Sequence, residues 1–145
     1  MQEKYQFKFM VISNREPLFK ILKYEFVAWN KDSEIQDLLR MNVGIMPLKS
    51  DKWSKGKCGF KAIQYMALGI PAIVSKVGVN DKIVSNNING FTCSSDKEWE
   101  NAFERLLTND TLRSEFGYKS RKEIEENYSK KSQKLNYLNL FDLTF

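Results

Sequence analysis

The six residues Gly56-Lys57-Cys58-Gly59-Phe60-Lys61 are the part of this chain whose types and spacing could bind an anion. A Gly-x-x-Gly loop that opens a helix turns backbone N–H groups outward at the positive end of a helix dipole, an arrangement that suits a phosphate. Lys57 and Lys61 sharpen the case. Cations in a helix's first turn oppose the macrodipole and cost roughly a few tenths of a kcal/mol each, a cost that an arriving anion reverses. The competing reading is a tight loop with two solvated lysines.

Other chemistries are narrowed by what the chain contains. It has no histidine, which excludes Ser-His and Cys-His catalysis, a histidine general base and most transition-metal sites. Its two cysteines, Cys58 and Cys93, sit in dissimilar settings and resemble neither a disulfide framework nor a zinc ligand set. A helix N-terminus can lower a thiol pKa, yet Cys58 has no histidine to pair with, and small-residue packing is the simpler role. No metal and no cofactor is therefore expected. The net charge of +5 and pI near 9.1 fit an anionic ligand, a negatively charged membrane surface or nucleic acid. Nucleic acid is set aside, because the aromatics fall mostly at core-like positions and are not interleaved with basic residues on a sheet face. With polar first residues and no long apolar run, the chain is expected in a reducing cytoplasm.

The elements that must position the loop follow from apolar runs and turn signals. At 145 residues and 42% hydrophobic composition, one compact domain with a real core is expected. Strands are expected at Phe7–Ser13, Tyr24–Trp29, Asn42–Leu48 and Pro71–Ser75, with a brief last one at Phe91–Cys93. A capping-box pattern, Ser33-Glu-Ile-Gln36, opens a first helix carrying Ile35, Leu38 and Leu39. A loop bearing Trp53 leads to the key helix, about Gly59–Leu68, which Gly69 stops. A short helical turn follows near Asp81–Ser85, then a turn at Asn86–Gly90. Ser95-Asp-Lys-Glu98 is a second capping box, Asp110 is expected to cap a further helix that Gly117 interrupts, and Tyr128–Phe141 forms a terminal helix. Strand and helix alternate, and the strands lack polar alternation, so helices should cover both sheet faces. The expected fold is α/β: a doubly wound, Rossmann-like domain with a parallel sheet, whose ligands bind at the carboxyl ends of the strands. The loop after Pro47 lies on that edge.

Taken in order, Val43-Gly-Ile-Met-Pro-Leu48, Gly56-Lys-Cys-Gly-Phe-Lys61 and Gln64-Tyr-Met-Ala-Leu-Gly-Ile-Pro71 resemble the C-terminal domain of group 1 (family 4) glycosyltransferases. The likeness continues through Ser75–Asn80, Asn89-Gly-Phe91, Leu112-Arg113, Gly117, Arg121 and Tyr128-Ser129, and so spans about residues 25–130. It implies one half of a GT-B architecture, in which this half holds a UDP- or GDP-type nucleotide-sugar donor and the other half, in the same or another chain, holds the acceptor. It also implies retaining chemistry without a metal. By this resemblance the chain lacks the acceptor half and a first strand carrying basic phosphate-binding residues, and any contact with the inner face of a membrane is left to the missing half.

Carried over by position, Gly59 and Phe60 would offer backbone N–H groups to the donor diphosphate, with Lys57 and Lys61 bearing the phosphate charge. Two glutamates common in the family fall at Gly56 and Gln64, neither of which is acidic here. Gln64 could still hydrogen-bond a ribose hydroxyl, or it is a core-edge amide; Gly56 has no side chain to contact a sugar. The family's acidic residue before Ile83-Val84 is replaced by Lys82. No catalytic residue is assigned. Arg15 is read as a surface residue, Trp53 as either a ligand cover or loop packing, and Lys119–Lys134 as a solvated helix face with i,i+4 pairs. The rival classes are a non-catalytic nucleotide- or phosphate-binding regulatory module that has lost the family carboxylates, and a phosphoacceptor receiver. The latter needs an aspartate at a strand end where this chain has Asn14, Trp29 and Pro47.

Overall fold

The computed structural model describes residues 1–141. Along the chain run β1 (Met10–Ser13), β2 (Glu25–Ala28), α1 (Glu34–Leu38), β3 (Gly44–Met46), α2 (Lys52–Lys55), α3 (Phe60–Ala67), β4 (Ala72–Ser75), α4 (Asn80–Ile83), β5 (Gly90–Cys93), α5 (Asp96–Thr108), α6 (Asp110–Asn127) and α7 (Lys130–Asn139). Every strand pairing is parallel, with Met10 opposite Glu25, Gly44 opposite Ala72, and Ala72 opposite Gly90. Helices flank the strands, and the fold is the doubly wound α/β arrangement expected from the alternation of elements.

Strand β4 shows why the apolar runs lack alternation. All four of its residues are buried. Ala72 and Val74 enter one core with Leu38, Met46, Ala62, Met66, Val84 and Ile124, whereas Ile73 enters the other with Phe91, Cys93, Ala102, Leu106 and Phe116. Period-2 side chains thus feed two cores on opposite faces. Full burial of residues such as Ile73 and Val74 contributes about 1.5–3 kcal/mol each.

One sheet was expected and two are found: β1-β2 and β3-β4-β5. Among the described residues no strand lies between β1 and β3. A cavity of about 490 Å³ is found there, lined by Phe9, Met10, Val43, Ile45, Tyr65 and Leu106. Parallel neighbours need hydrogen-bonded contact along their length, and across this gap there is none to make.

Three local expectations also change. Ser33 does not cap α1: its backbone is already helical (φ −102°, ψ −6°), so its hydroxyl turns to Asp37 Oδ2 at 2.8 Å instead of to the helix's free N–H groups. Asn109, not Asp110, caps α6, accepting from the Leu112 N–H at 2.8 Å with an extended backbone that suits a cap. Gly117 does not interrupt α6, which runs unbroken through it; the residue is there because α6 crosses the Gly69 turn, where any Cβ would overlap the Gly69 carbonyl oxygen. By contrast Ser95 and Glu98 form the reciprocal capping box expected, and Gly69 (φ +71°) ends α3 with Ile70 N–H donating to Tyr65 O and Gly69 N–H to Met66 O. The last expected helix begins at Lys130, capped by Ser129. On α6 the pairs Glu115–Lys119, Arg121–Glu125 and Lys122–Glu126 are solvent-exposed i,i+4 partners.

Two outcomes test this packing. Gly117→Ala gains about 1 kcal/mol of helix propensity but forces α6 off the Gly69 turn, at a cost of about 1–3 kcal/mol. Urea denaturation should therefore show net destabilisation or at best no gain; a clear gain in stability would contradict the close approach. Burial also pushes the Cys93 thiol up to about 11, while Cys58 is exposed. A maleimide at pH 8 should label Cys58 alone in the native protein, and both thiols once urea unfolds it.

Candidate functional site

The loop between β3 and α3 is built in short steps. The Leu48 N–H donates to Ser75 Oγ at 2.8 Å, tying the chain beyond β3 to the end of β4. Asp51 then caps α2 by accepting from the Ser54 N–H at 2.7 Å, and this bond, with the Ser54 side chain next, holds the Asp51 carboxyl below its ordinary value. The segment around Trp53, expected as a loop, is therefore a helical turn. Its signal was an aspartate three residues before a buried serine. Trp53 itself is 80% exposed and does not pack its own loop.

Gly56 ends α2 in an ordinary right-handed conformation (φ −82°), whereas Gly59 takes φ +69°. Only Gly59 needs to be glycine on backbone grounds. A side chain there would also overlap Ile83 Cδ1 of α4. Helix α4 is in turn anchored through buried Asn80, whose Nδ2 donates to Ser75 O at 2.9 Å. Ser75 thus fixes both the loop after β3 and the helix against which Gly59 is pressed.

Helix α3 starts at Phe60 with no side-chain cap. Its first N–H groups have no intrahelical acceptor. Phe60 is 58% exposed, so this end of the helix opens outward. Lys61 lies in the first turn. Lys57 does not: it precedes the left-handed Gly59, is exposed, and spends its N–H on Ser54 O at 3.2 Å.

The charge on Lys61 is already engaged. Its Nζ lies 3.2 Å from Glu34 Oε1, the first residue of α1. Gln64 Nε2 donates to the same oxygen at 3.4 Å. The Glu34 carboxyl is held below its ordinary value by the Trp29 side chain first and by Lys61 next, against a smaller opposing effect of burial. A carboxyl so lowered adds stability above its unfolded pKa and loses it as pH falls through the folded one. With its amide nitrogen committed to Glu34, Gln64 leaves its Oε1 buried without a partner among the described residues. Such an orphaned acceptor costs about 1–3 kcal/mol.

Gly56, Lys57, Gly59, Phe60, Lys61 and Gln64 therefore share one loop and one helix. Glu34 at the start of α1, which joins them, and Trp29 in the loop after β2, which lowers its carboxyl, were missed. Glu34 was read as part of a local cap, and the fold places it against α3 across 27 residues of chain. Arg15 is exposed, as expected of a surface residue. Among the described residues no cluster of three or more His, Cys, Asp or Glu side chains could hold a metal, and no helix is long and apolar enough to cross a membrane.

Solved structures share this fold. Sucrose-phosphate synthase from Thermosynechococcus elongatus superposes with a TM-score of 0.70 at 21% identity, over 82% of this chain and 29% of that one. A TarM variant from S. aureus, in complex with fondaparinux, alpha-GlcNAc-glycerol and UDP, gives 0.64 at 23% identity, over 81% and 23%. The C-terminal domain of the glycosyl transferase group 1 family protein LpcC from Francisella tularensis gives 0.56 at 20% identity, over 72% and 53%. The chain thus spans about a quarter to a half of the length of these proteins. No curated protein matches its sequence. The family described as "Glycosyl transferases group 1" matches residues 20–123, well over half of the chain, with the β3–α3 loop inside the match. This chain belongs to the group 1 glycosyl transferases.

Proposed function

We propose that the chain is the donor-binding half of a glycosyltransferase and holds a nucleotide-sugar of UDP or GDP type by its diphosphate. The observation that carries this reading is the left-handed Gly59 opening an uncapped, outward-facing helix on the loop after β3, in a chain of this family. Backbone N–H groups of Gly59, Phe60 and Lys61 would meet the phosphate oxygens, and Lys57 and Lys61 would stabilise the charge that develops on the departing diphosphate. The presence of UDP in the TarM complex supports the donor class. Retention of configuration and independence of metal belong to the same reading, as does a cytoplasmic setting with any membrane contact made by another part of the enzyme.

Two further parts complete the proposal. A separate acceptor-binding half, in the same or another polypeptide, would close over the loop. An additional parallel strand would sit between β1 and β3, where the cavity lined by Phe9, Met10, Val43 and Ile45 now separates the two sheets.

The positions Gly56 and Gln64 favour a second reading, because both family carboxylates are absent from this loop and helix. In it the chain binds nucleotide and takes no part in transfer even when an acceptor half is supplied.

Calorimetric titration with UDP, GDP and their sugar conjugates tests the donor site. Saturable binding is expected, weakened about tenfold or more by Lys57→Ala with Lys61→Ala, the loss of charge-assisted phosphate contacts. No binding at millimolar nucleotide would remove the donor reading for this chain. Cys58 offers an independent readout: nucleotide seated on the loop should slow its alkylation, and an unchanged rate under saturating nucleotide would put the ligand elsewhere.

A further inference from the structure

Resting on the donor reading, we propose that Glu34 is the carboxylate with which this chain recognises the donor's ribose, and that it does so by exchanging Lys61 for a sugar hydroxyl. Glu34 stands beside the amide of Gln64 but comes from α1 and not from α3. Its Oε1 receives both Lys61 Nζ and Gln64 Nε2. Lys61 is half-exposed and its helix opens toward solvent, so its ammonium can leave for a diphosphate seated at the same helix end.

That departure vacates an acceptor position on Glu34. A carboxylate is acceptor-only, and losing its cation without a replacement donor would leave it poorly satisfied. The vicinal hydroxyls of a ribose are donors of the right kind. One would take the place of Lys61 on Glu34. The other would reach Gln64 Oε1, which has no donor among the described residues and gains one when the Lys61–Glu34 pair opens. Phosphate binding and sugar recognition are thereby coupled: the diphosphate draws Lys61 away, and the ribose fills what Lys61 leaves. Trp29, in the loop after β2, also lowers the Glu34 carboxyl below its ordinary value.

The test is a comparison of UDP and GDP with their 2′,3′-dideoxy counterparts, titrated into the wild-type chain, Glu34→Gln and Gln64→Leu, with inorganic pyrophosphate as a further probe. The wild type should bind its preferred ribonucleotide at least about tenfold more tightly than the dideoxy form, which loses both the charge-assisted hydrogen bond to Glu34 and the bond to Gln64. Each variant should lose most of that ratio, and Glu34→Gln should bind pyrophosphate at least as well as the wild type, because Lys61 is released. Nucleotide binding in which the ratio is absent, or survives Glu34→Gln, overturns the role of Glu34 and leaves the donor reading standing. Absence of any nucleotide binding by the wild type overturns both. Pyrophosphate binding by Glu34→Gln also reports that the variant is folded, and Gln64→Leu carries the test should it not be.

Discussion

Ser75 is the joint on which the loops at the carboxyl edge of the β3-β4-β5 sheet depend. It ends β4, the strand buried on both faces, and both of its polar ends are used: Oγ accepts from the Leu48 N–H, and the carbonyl accepts from Asn80 Nδ2. The first bond sets where the chain goes after β3. The second sets α4, whose Ile83 leaves no room for a side chain at Gly59. The conformation of the Gly56–Gly59 loop is therefore inherited from the centre of the sheet rather than chosen by the loop. Local sequence supplies only the permission, a glycine where φ must be positive. A loop positioned this way is tied to the core beneath it, as the proposed anchoring of a phosphate by backbone N–H groups would require, since such groups have no rotamers with which to adapt.

Electrostatics divide the work differently. Lys49, Lys52, Lys55 and Lys57 crowd the stretch before α3, and the one acid among them, Asp51, is spent as the cap of α2. These side chains are solvated, so their individual ion pairs would be weak and sensitive to salt. Summed, they create a positive field on the side of the domain where α3 opens, which draws anions without specifying them. Specificity needs fixed, directional groups. In this region the described residues with that character are the backbone at Gly59 and the Trp29, Glu34, Lys61 and Gln64 set.

Much of the fold was legible because its determinants are local. Apolar runs gave the strands, Ser95 with Glu98 gave a true capping box, and Gly69 gave the stop of α3. Where local signals failed, a tertiary contact had overruled them. Ser33 carries the right pattern for a cap, but the chain enters α1 already helical and its hydroxyl serves Asp37 instead. Gly117 looks like a break in a helix, and is a close crossing between α6 and the Gly69 turn. The division into two sheets could not be read at all, because strand order and the spaces between strands are properties of the assembled layers and leave no mark on any one segment.

The same distinction explains why the carboxylate beside α3 escaped notice. Counting positions along the loop and helix compares residues one by one and finds Gly56 and Gln64 where acids would stand. It has no means of seeing an acid delivered from another element. Glu34 lies 30 residues from Gln64 in sequence and shares a hydrogen bond with it in space. A glutamate on α3 would occupy its position in every state of the protein. A glutamate on α1 instead bridges two elements, and its lysine partner sits at the end of a helix that an anion would also seek. An ion pair whose lysine is half-exposed contributes little to stability, so opening it for an anion would cost the fold little. The orphaned Gln64 oxygen points the same way, because an arrangement that leaves a buried acceptor unpaired is one that a suitable donor can improve.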